Sequence, residues 1–396
     1  MSEVSTALQN IRKDDGNELQ CVLHLIQLLK PANNTAVPEL LTLSPNLVEV
    51  FDWWDKGPGM HTQSAACFTL FSAIYKSVLK THTQFQAQAV AISRKVIKER
   101  LHSVYGCLSK YSSIPGRKHC LEFMALMNCV GGSVTKVLLD DFNFGNASLK
   151  QMLNTSGATH EDAVRFMLSF LCVSSVDLKV KFMSMKNVFK SMTVQINKNS
   201  LALKLEFLNV MIEHVLKNTR ILKKSKCPFF AVPVVMKISE FWSEENVELQ
   251  AQTSAFFEAL FSKKTGVLFE SSAKDIFGET SSNPILLSFV KHSNFKNQHM
   301  SDFFINMVKV CPEVSTTLIT SLTTKSASDP QSLSNLCKVL QSRDIPSIIS
   351  SVTTDTTDKQ IVEYLVPRWV RSSWCFTFSD PFNNACITKF QYKEQI

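Results

Sequence analysis

Residues 160–192 read HEDAVRFMLSFLCVSSVDLKVKFMSMKNVFKSM, and the spacing of their apolar positions sets the fold class. Val164, Met167, Leu168 and Leu171 fall at i, i+3, i+4 and i+7, a single stripe on a 3.6-residue period. Val176–Met183 and Val188–Met192 add two shorter apolar segments. Further on, Leu201, Leu205, Leu208, Ile212 and Val215 draw a longer stripe, widened on both sides by Phe207, Val210, Met211 and Leu216. A helix apolar over so much of its circumference needs neighbours on at least two sides. A row of medium-length helices, each flanked by the one before and the one after, meets that need.

Working outward, the same periodicity recurs. Residues 1–17 are polar and read as frayed, and Glu18–Leu29 is a first short helix closed by Pro31. Pro38–Trp54 holds a helix pair, and DKGPGMHT forms a turn. Ala66, Leu70, Ile74 and Leu79 mark a helix over Gln63–Leu79, and another runs from Gln84 to Leu108, closed by SSIPG. Arg117–Val130 packs through Cys120, Phe123, Met124 and Met127, with Gly131 and Gly132 as its cap. Beyond a basic linker, Val232–Trp242 is short enough to be helix or strand. Glu248–Phe261, Pro284–Val290 and Ser301–Val310 then read as helices. The long helices begin near residues 117, 161 and 201, and a pitch of about 40 residues matches HEAT and armadillo units. The expected fold is an all-α, armadillo/HEAT-like helical-repeat solenoid. Its expected divisions are 1–49, a set of poorly specified N-terminal helices; 50–325, the repeat domain; and 326–396, a divergent tail rich in Ser, Thr and unpatterned aromatics.

Composition agrees with that class. The chain has 396 residues with 11 Gly, 28 Phe and 13 Met. Glycine poverty disfavours phosphate-cradling loops, and Phe and Met suit uneven helix interfaces. A chain this long exceeds one compact core, so it is either several domains or an elongated array that buries its core piece by piece. The 11 cysteines show no CxxC pair, and several lie in apolar helical patterns, as buried thiols of a reducing compartment do. The first 16 residues lack a signal-peptide core, and every apolar run is broken by charge before it reaches membrane-spanning length. Cytosol or nucleus, with no membrane, is the expectation.

Charge is where the sequence points to function. The net charge is +8, held in two blocks. Ile74–Lys118 has 9 Lys/Arg against 1 acidic residue, and Glu161–Phe230 has 12 against 5. The candidate surface for RNA or an acidic partner comprises Arg94, Lys95, Lys98, Arg100, Arg117 and Lys118 in the first block. Lys217, Arg220, Lys223, Lys224 and Lys226 extend it in the second. The α-helical residues 94, 95, 98 and 100 read as outward, with Arg94 and Lys98 sharing a face. Tyr105 and Tyr111 offer stacking, although Tyr in a helical repeat also serves as an interface residue. Solvated helix faces are the plain alternative for both blocks.

Chemistry finds little support. GxGxxG, GxxxxGK[ST] and GxSxG are all absent. His160-Glu161-Asp162 resembles a metal motif, but HExxH needs a histidine where Val164 stands. Asp140–Asp141 and Glu244–Glu245 read as solvating or capping acids rather than an acid–base pair. No catalytic, metal or cofactor site is expected.

Two stretches carry a family resemblance. GRKHCLEFMALMNCVGGSVTKVLLDDFNF followed by EDAVRFMLSFLCVSSVDLKVKFM resembles the amino-terminal domain of the Urb/Npa family of nucleolar pre-ribosomal-associated proteins, with Arg165, Phe170 and Leu171 at its marked positions. AFFEALFSKKTGVLFESSAKDIFG and the segment ending in KVCPEV match it again, through Gly266, Phe269, Phe277-Gly278 and the KVCP at 309–312. The resemblance covers roughly residues 50–325. It implies a helical-repeat scaffold of the nucleus and nucleolus, acting without enzymatic activity in early pre-60S assembly and rRNA maturation. The implied partners are the pre-ribosomal particle, other large-subunit assembly factors including an RNA helicase, and pre-rRNA. It carries over no ligand and no catalytic residue. The alternatives are a helical-repeat protein–protein adaptor that never touches RNA, and a nuclear transport receptor of the same architecture.

Overall fold

Among the described residues every regular element is a helix and none is a strand. The computed structural model describes residues 2–13, 16–29, 35–56, 60–108, 114–131, 134–136, 158–184, 196, 199–218, 220–221, 232–260, 284–292, 299–300 and 302–304. The chain divides into two compact units, Met1–Pro228 and Phe229–Ile396. The expected Val188–Met192 segment, most of Ser301–Val310 and the tail lie outside the described residues.

The first unit opens with α1 (Glu3–Lys13), α2 (Glu18–Leu28), α3 (Ala36–Leu43) and α4 (Val48–Lys56). The expectation of a frayed start is wrong. Val4, Ala7, Leu8 and Ile11 are spaced i, i+3, i+4, i+7, and all four are buried. Their stripe is narrow, and only the neighbours α2, α3 and α4 give it something to cover. Arg12 of α1 pairs with Glu49 of α4, whose carboxylate also accepts the Ser44 hydroxyl. Burial raises the Glu49 pKa, but Ser44 and Arg12 outweigh that and hold it below the usual glutamate range. The α3–α4 turn passes through Leu47 at φ 48, a left-handed conformation costing about 1–2 kcal/mol for an L residue. Complete burial of the Leu47 side chain offsets it.

A row of longer helices follows. α5 (Met60–Lys80) and α6 (Gln86–Leu108) are joined by a short 3-10 turn, and α7 (Ile114–Val130) comes next. The SSIPG segment does not end the preceding unit as expected, because Ile114, Pro115 and Gly116 form the first turn of α7, where proline loses no hydrogen bond. Gln86 donates to the Val130 carbonyl at 2.7 Å, and the Cys120 thiol lies 3.8 Å from the Val104 carbonyl, so α6 is antiparallel to α7. The Tyr75 hydroxyl donates to the Ala89 carbonyl at 2.9 Å across the α5–α6 contact. α5 and α7 therefore run the same way.

α8 (Ala158–Cys172) continues this direction. Asn128 of α7 donates to Ser169 at 2.8 Å, while the charges of Lys118 and Glu122 act on Asp162 one end earlier. α9 (Val176–Met183) is capped by Ser175, and α10 (Leu201–Met211) is again parallel to α8. There Glu161 meets Ser200 and Arg165 meets Glu206. α7, α8 and α10 begin at residues 114, 158 and 201, the pitch of an armadillo or HEAT unit. Parallel neighbours need the chain to return between them, which is why each period is longer than its helix. The all-α helical-repeat class is the observed one.

α10 shows the limit of pattern reading. The expected stripe ran through Leu201, Leu205, Leu208, Ile212 and Val215, but Leu201 is 38% exposed. The buried face runs instead through Leu203, Lys204, Phe207, Leu208, Met211 and Val215. With apolar residues nearly all round the helix, periodicity does not select one face; contact with α8 does.

The second unit has α11 (Val232–Ser239), α12 (Val247–Leu260) and α13 (Pro284–His292). Val232–Trp242, open between helix and strand in the sequence, is α11 plus a 3-10 turn, Glu240–Ser243. Its core is Trp242, fully buried, with ring centroids of Phe257, Phe289, Phe303 and Phe304 at 4.9, 5.3, 5.3 and 6.0 Å. The indole donates to Ser254 at 3.2 Å, and Gln250 caps the Trp242 and Glu244 carbonyls at 3.2 and 2.6 Å.

Candidate interaction surface

α6 carries the first four basic candidates, and the structure separates them. Lys95 does not point outward: its ammonium sits 4.2 Å from the Phe51 ring centroid of α4. Arg100 is also turned in. Its guanidinium lies 5.9 Å from the Trp54 ring centroid and pairs with Asp55, leaving the side chain 13% exposed. A desolvated cation over an aromatic face is attracted by the ring quadrupole, so these two cations bind α4 to α6. Arg94 and Lys98 are the exposed pair, one turn apart on one face. Nothing in the sequence distinguishes the pairs, since the partners Phe51, Trp54 and Asp55 lie some 45 positions upstream.

The row α5–α7–α8–α10 has its own charged band. Lys76 of α5 pairs with Glu122 of α7, and Lys118 of α7 acts on Asp162 of α8. Arg165 then meets Glu161 at 3.4 Å, Asp162 at 3.7 Å and Glu206 of α10 at 3.1 Å. Glu161 also accepts the Ser200 amide at 2.8 Å and its hydroxyl at 3.0 Å, which closes the start of α10. Lys76, Glu122, Lys118, Asp162, Arg165 and Glu206 thus alternate in sign from helix to helix. Burial raises the Asp162 pKa against the pull of Lys118 and Arg165. Burial is also the largest cause at His119, lowering its pKa; Glu122 opposes this and Lys118 and Lys76 reinforce it. Arg117 is half-buried and Lys118 exposed. Of this band the sequence shows only the helical spacings within one element, Lys118 to Glu122, Glu161 to Arg165 and Asp162 to Arg165; the links between helices, and Ser200 and Glu206, arrive through the third dimension.

The second basic block is divided too. Lys217 pairs with Glu213 at 2.6 Å, and Arg220 with Asp177 at 3.7 Å, all four side chains being exposed. Lys223, Lys224 and Lys226 lie outside the described residues, as do Tyr111, Asp140 and Asp141. His160, the first residue of the metal-like triplet, is buried and shares a 2.8 Å hydrogen bond from Nδ1 to Asn199. Among the described residues no group of three or more His, Cys, Asp or Glu is placed to hold a metal ion. No helix among them is long and apolar enough to cross a membrane. Burial raises the pKa of the Cys67, Cys129 and Cys172 thiols, the last to about 11.

What the arrangement offers is a cationic α6 face beside a parallel row whose charges neutralise one another. Comparison with known proteins adds a family. The Npa1 model, described as ribosome 60S biogenesis N-terminal, matches residues 47–337. No curated protein matches the chain. Among solved structures, the crystal structure of an engineered protein is similar over 93% of this chain and 98% of that one, at 10% identity and a TM-score of 0.42.

Proposed function

The chain belongs to the ribosome 60S biogenesis N-terminal family, and on that premise we propose that it is a non-enzymatic scaffold of early pre-60S assembly that holds pre-rRNA through its α6 face. The observation that carries this reading is the division of charge. Lys95 and Arg100 are turned in against α4, whereas the side chains of Arg94 and Lys98 are exposed on one face of α6. Exposed cations raise both encounter rate and affinity for a polyanion, and each phosphate they neutralise releases a counterion. Lys118, exposed on α7, and Lys217 and Arg220, each in an exposed ion pair that a phosphate could displace, extend the surface. The site of action is the nucleolus, and the other partners are large-subunit assembly factors, an RNA helicase among them.

The test is binding of the full chain to a structured pre-rRNA fragment at two salt concentrations. Affinity that rises steeply when salt is lowered tenfold supports the proposal, and affinity that stays flat removes its RNA half. Crosslinking in cells then separates it from the protein-adaptor reading. Nucleotide adducts at residues 94–98 or 217–226 support RNA contact, and peptide adducts alone support an acidic protein partner.

A further inference from the structure

α3 and α4 meet at a corner that is held rigid from inside and left apolar outside. Among the described residues Leu47 has the only positive φ of a non-glycine residue, 48°, and its side chain is fully buried. The Ser44 amide donates to the Leu40 carbonyl at 2.8 Å, and the Leu47 amide to the Ser44 carbonyl at 3.1 Å. The Ser44 hydroxyl and the Arg12 guanidinium both donate to the buried Glu49 carboxylate. Each end of the turn is thereby pinned, α3 through Ser44 and α4 through Leu47 and Glu49. A non-glycine residue keeps a left-handed backbone only where its surroundings over-determine it, and such positions concentrate at functional sites.

Outside, Leu43, the last residue of α3, is 47% exposed, and Val48, the first of α4, is 46% exposed. Pro45 and Asn46 between them are exposed as well. A single exposed aliphatic side chain needs no explanation, but two flanking one pinned turn form a knob whose shape is set before anything binds it.

Charge says what the knob fits. Asp52 is exposed one turn after Val48 on the same face of α4, and Glu39 lies one turn before Leu43 on α3. Arg12, the cation beside the corner, is engaged by Glu49. Residues 1–73 hold 8 acidic residues against 4 Lys/Arg in a chain whose net charge is +8. Such a surface repels a polyanion, whereas an apolar face bordered by lysine or arginine is complementary to it.

We propose that the α3–α4 corner is a docking knob for a basic amphipathic helix of a protein partner. The apolar face of that helix packs on Leu43 and Val48, and a Lys or Arg one turn along meets Asp52. The role goes beyond RNA binding by α6 and does not depend on it.

The experiment uses the full chain and two synthetic helical peptides of one leucine pattern, with either lysine or glutamate flanking the leucines. Fluorescence anisotropy of the labelled peptide measures binding. The parent chain is expected to bind the lysine peptide about tenfold more tightly than the glutamate peptide. Leu43→Ser and Val48→Ser each weaken that binding about tenfold. Leu287→Ser, at an exposed leucine of the second unit, leaves it unchanged. Asp52→Lys, which keeps the apolar corner intact, reverses the preference between the peptides. Affinity of Val48→Ser for the structured pre-rRNA fragment stays at the parental value, so the protein and RNA readings fail separately. Equal binding of the two peptides overturns the proposal, as does binding that survives Leu43→Ser and Val48→Ser in one chain. Self-association of the parent in sedimentation that Val48→Ser abolishes overturns it too, because the occupant is then a second copy.

Discussion

Phe123 is the side chain on which the parallel row of the first unit turns. It has no exposed surface, and its ring centroid lies 5.5 Å from that of Phe68, 5.4 Å from Phe71 and 5.4 Å from Tyr75. All three neighbours belong to α5, so truncating Phe123 opens a void between two members of the row. Phe→Ala in a core costs about 3–5 kcal/mol, depending on how far the surroundings collapse into the space. Collapse is restricted here. Asn128 holds α7 to α8, Gln86 holds it to α6, and Lys76 pairs with Glu122 on the α5 side. Aromatic pairs worth about 0.5–1.5 kcal/mol each are lost with the ring. Phe123→Ala is therefore expected well inside that range, at about 4 kcal/mol. For a unit of the size of Met1–Pro228, that lowers the melting temperature by about 8–16 °C. Phe123→Leu fills most of the volume and should cost less than half as much. The assay is chemical and thermal unfolding of the full chain, followed by far-ultraviolet circular dichroism. A loss below about 1.5 kcal/mol for Phe123→Ala, typical of an unremarkable site, would falsify the claim that α5 and α7 close on this ring.

Glu49→Gln tests the α1–α4 link through pH. Because the folded pKa of Glu49 is lowered, its carboxylate contributes stability that is fully present above the usual glutamate range and is lost as pH falls through the lowered value. The variant should be less stable by about 1–2 kcal/mol at pH 7, with the deficit closing in acid; melting curves in which the gap persists through the acid range contradict it. Lys98→Ala and Arg100→Ala separate the two kinds of α6 cation. Loss of Lys98 should leave stability within about 0.5 kcal/mol yet flatten the salt dependence of RNA binding by roughly 0.7–0.9 in the log–log slope. Arg100→Ala should do the reverse, destabilising the unit by about 1–3 kcal/mol because Asp55 and Trp54 lose their partner. Equal effects of the two substitutions on RNA binding would remove the distinction between them.

The fold class was legible in the chain because helical burial repeats locally. Cys120, Phe123, Met124 and Met127 mark the face of α7 correctly, and the spacing of the long helices gives the repeat length. The resemblance carried by residues 116–183 and 255–314 agrees with the family match over 47–337. These signals survive in sequence because each depends only on residues within a few turns of one another, or on an inherited pattern.

Other features depend on what lies across the interface. α1 carries a correct stripe that reads as fraying until α2, α3 and α4 cover it. α10 is apolar on so many sides that its neighbours, not its period, choose the buried face. Most of all, the sequence determined how many cations there are and in which blocks, and the tertiary structure decided which remain exposed. Lys95 and Arg100 differ from Arg94 and Lys98 only in the direction each leaves the same helix, and that direction matters because α4 lies on one side of it and solvent on the other. A charge is a property of one residue, but its availability to a partner is a property of everything packed around it.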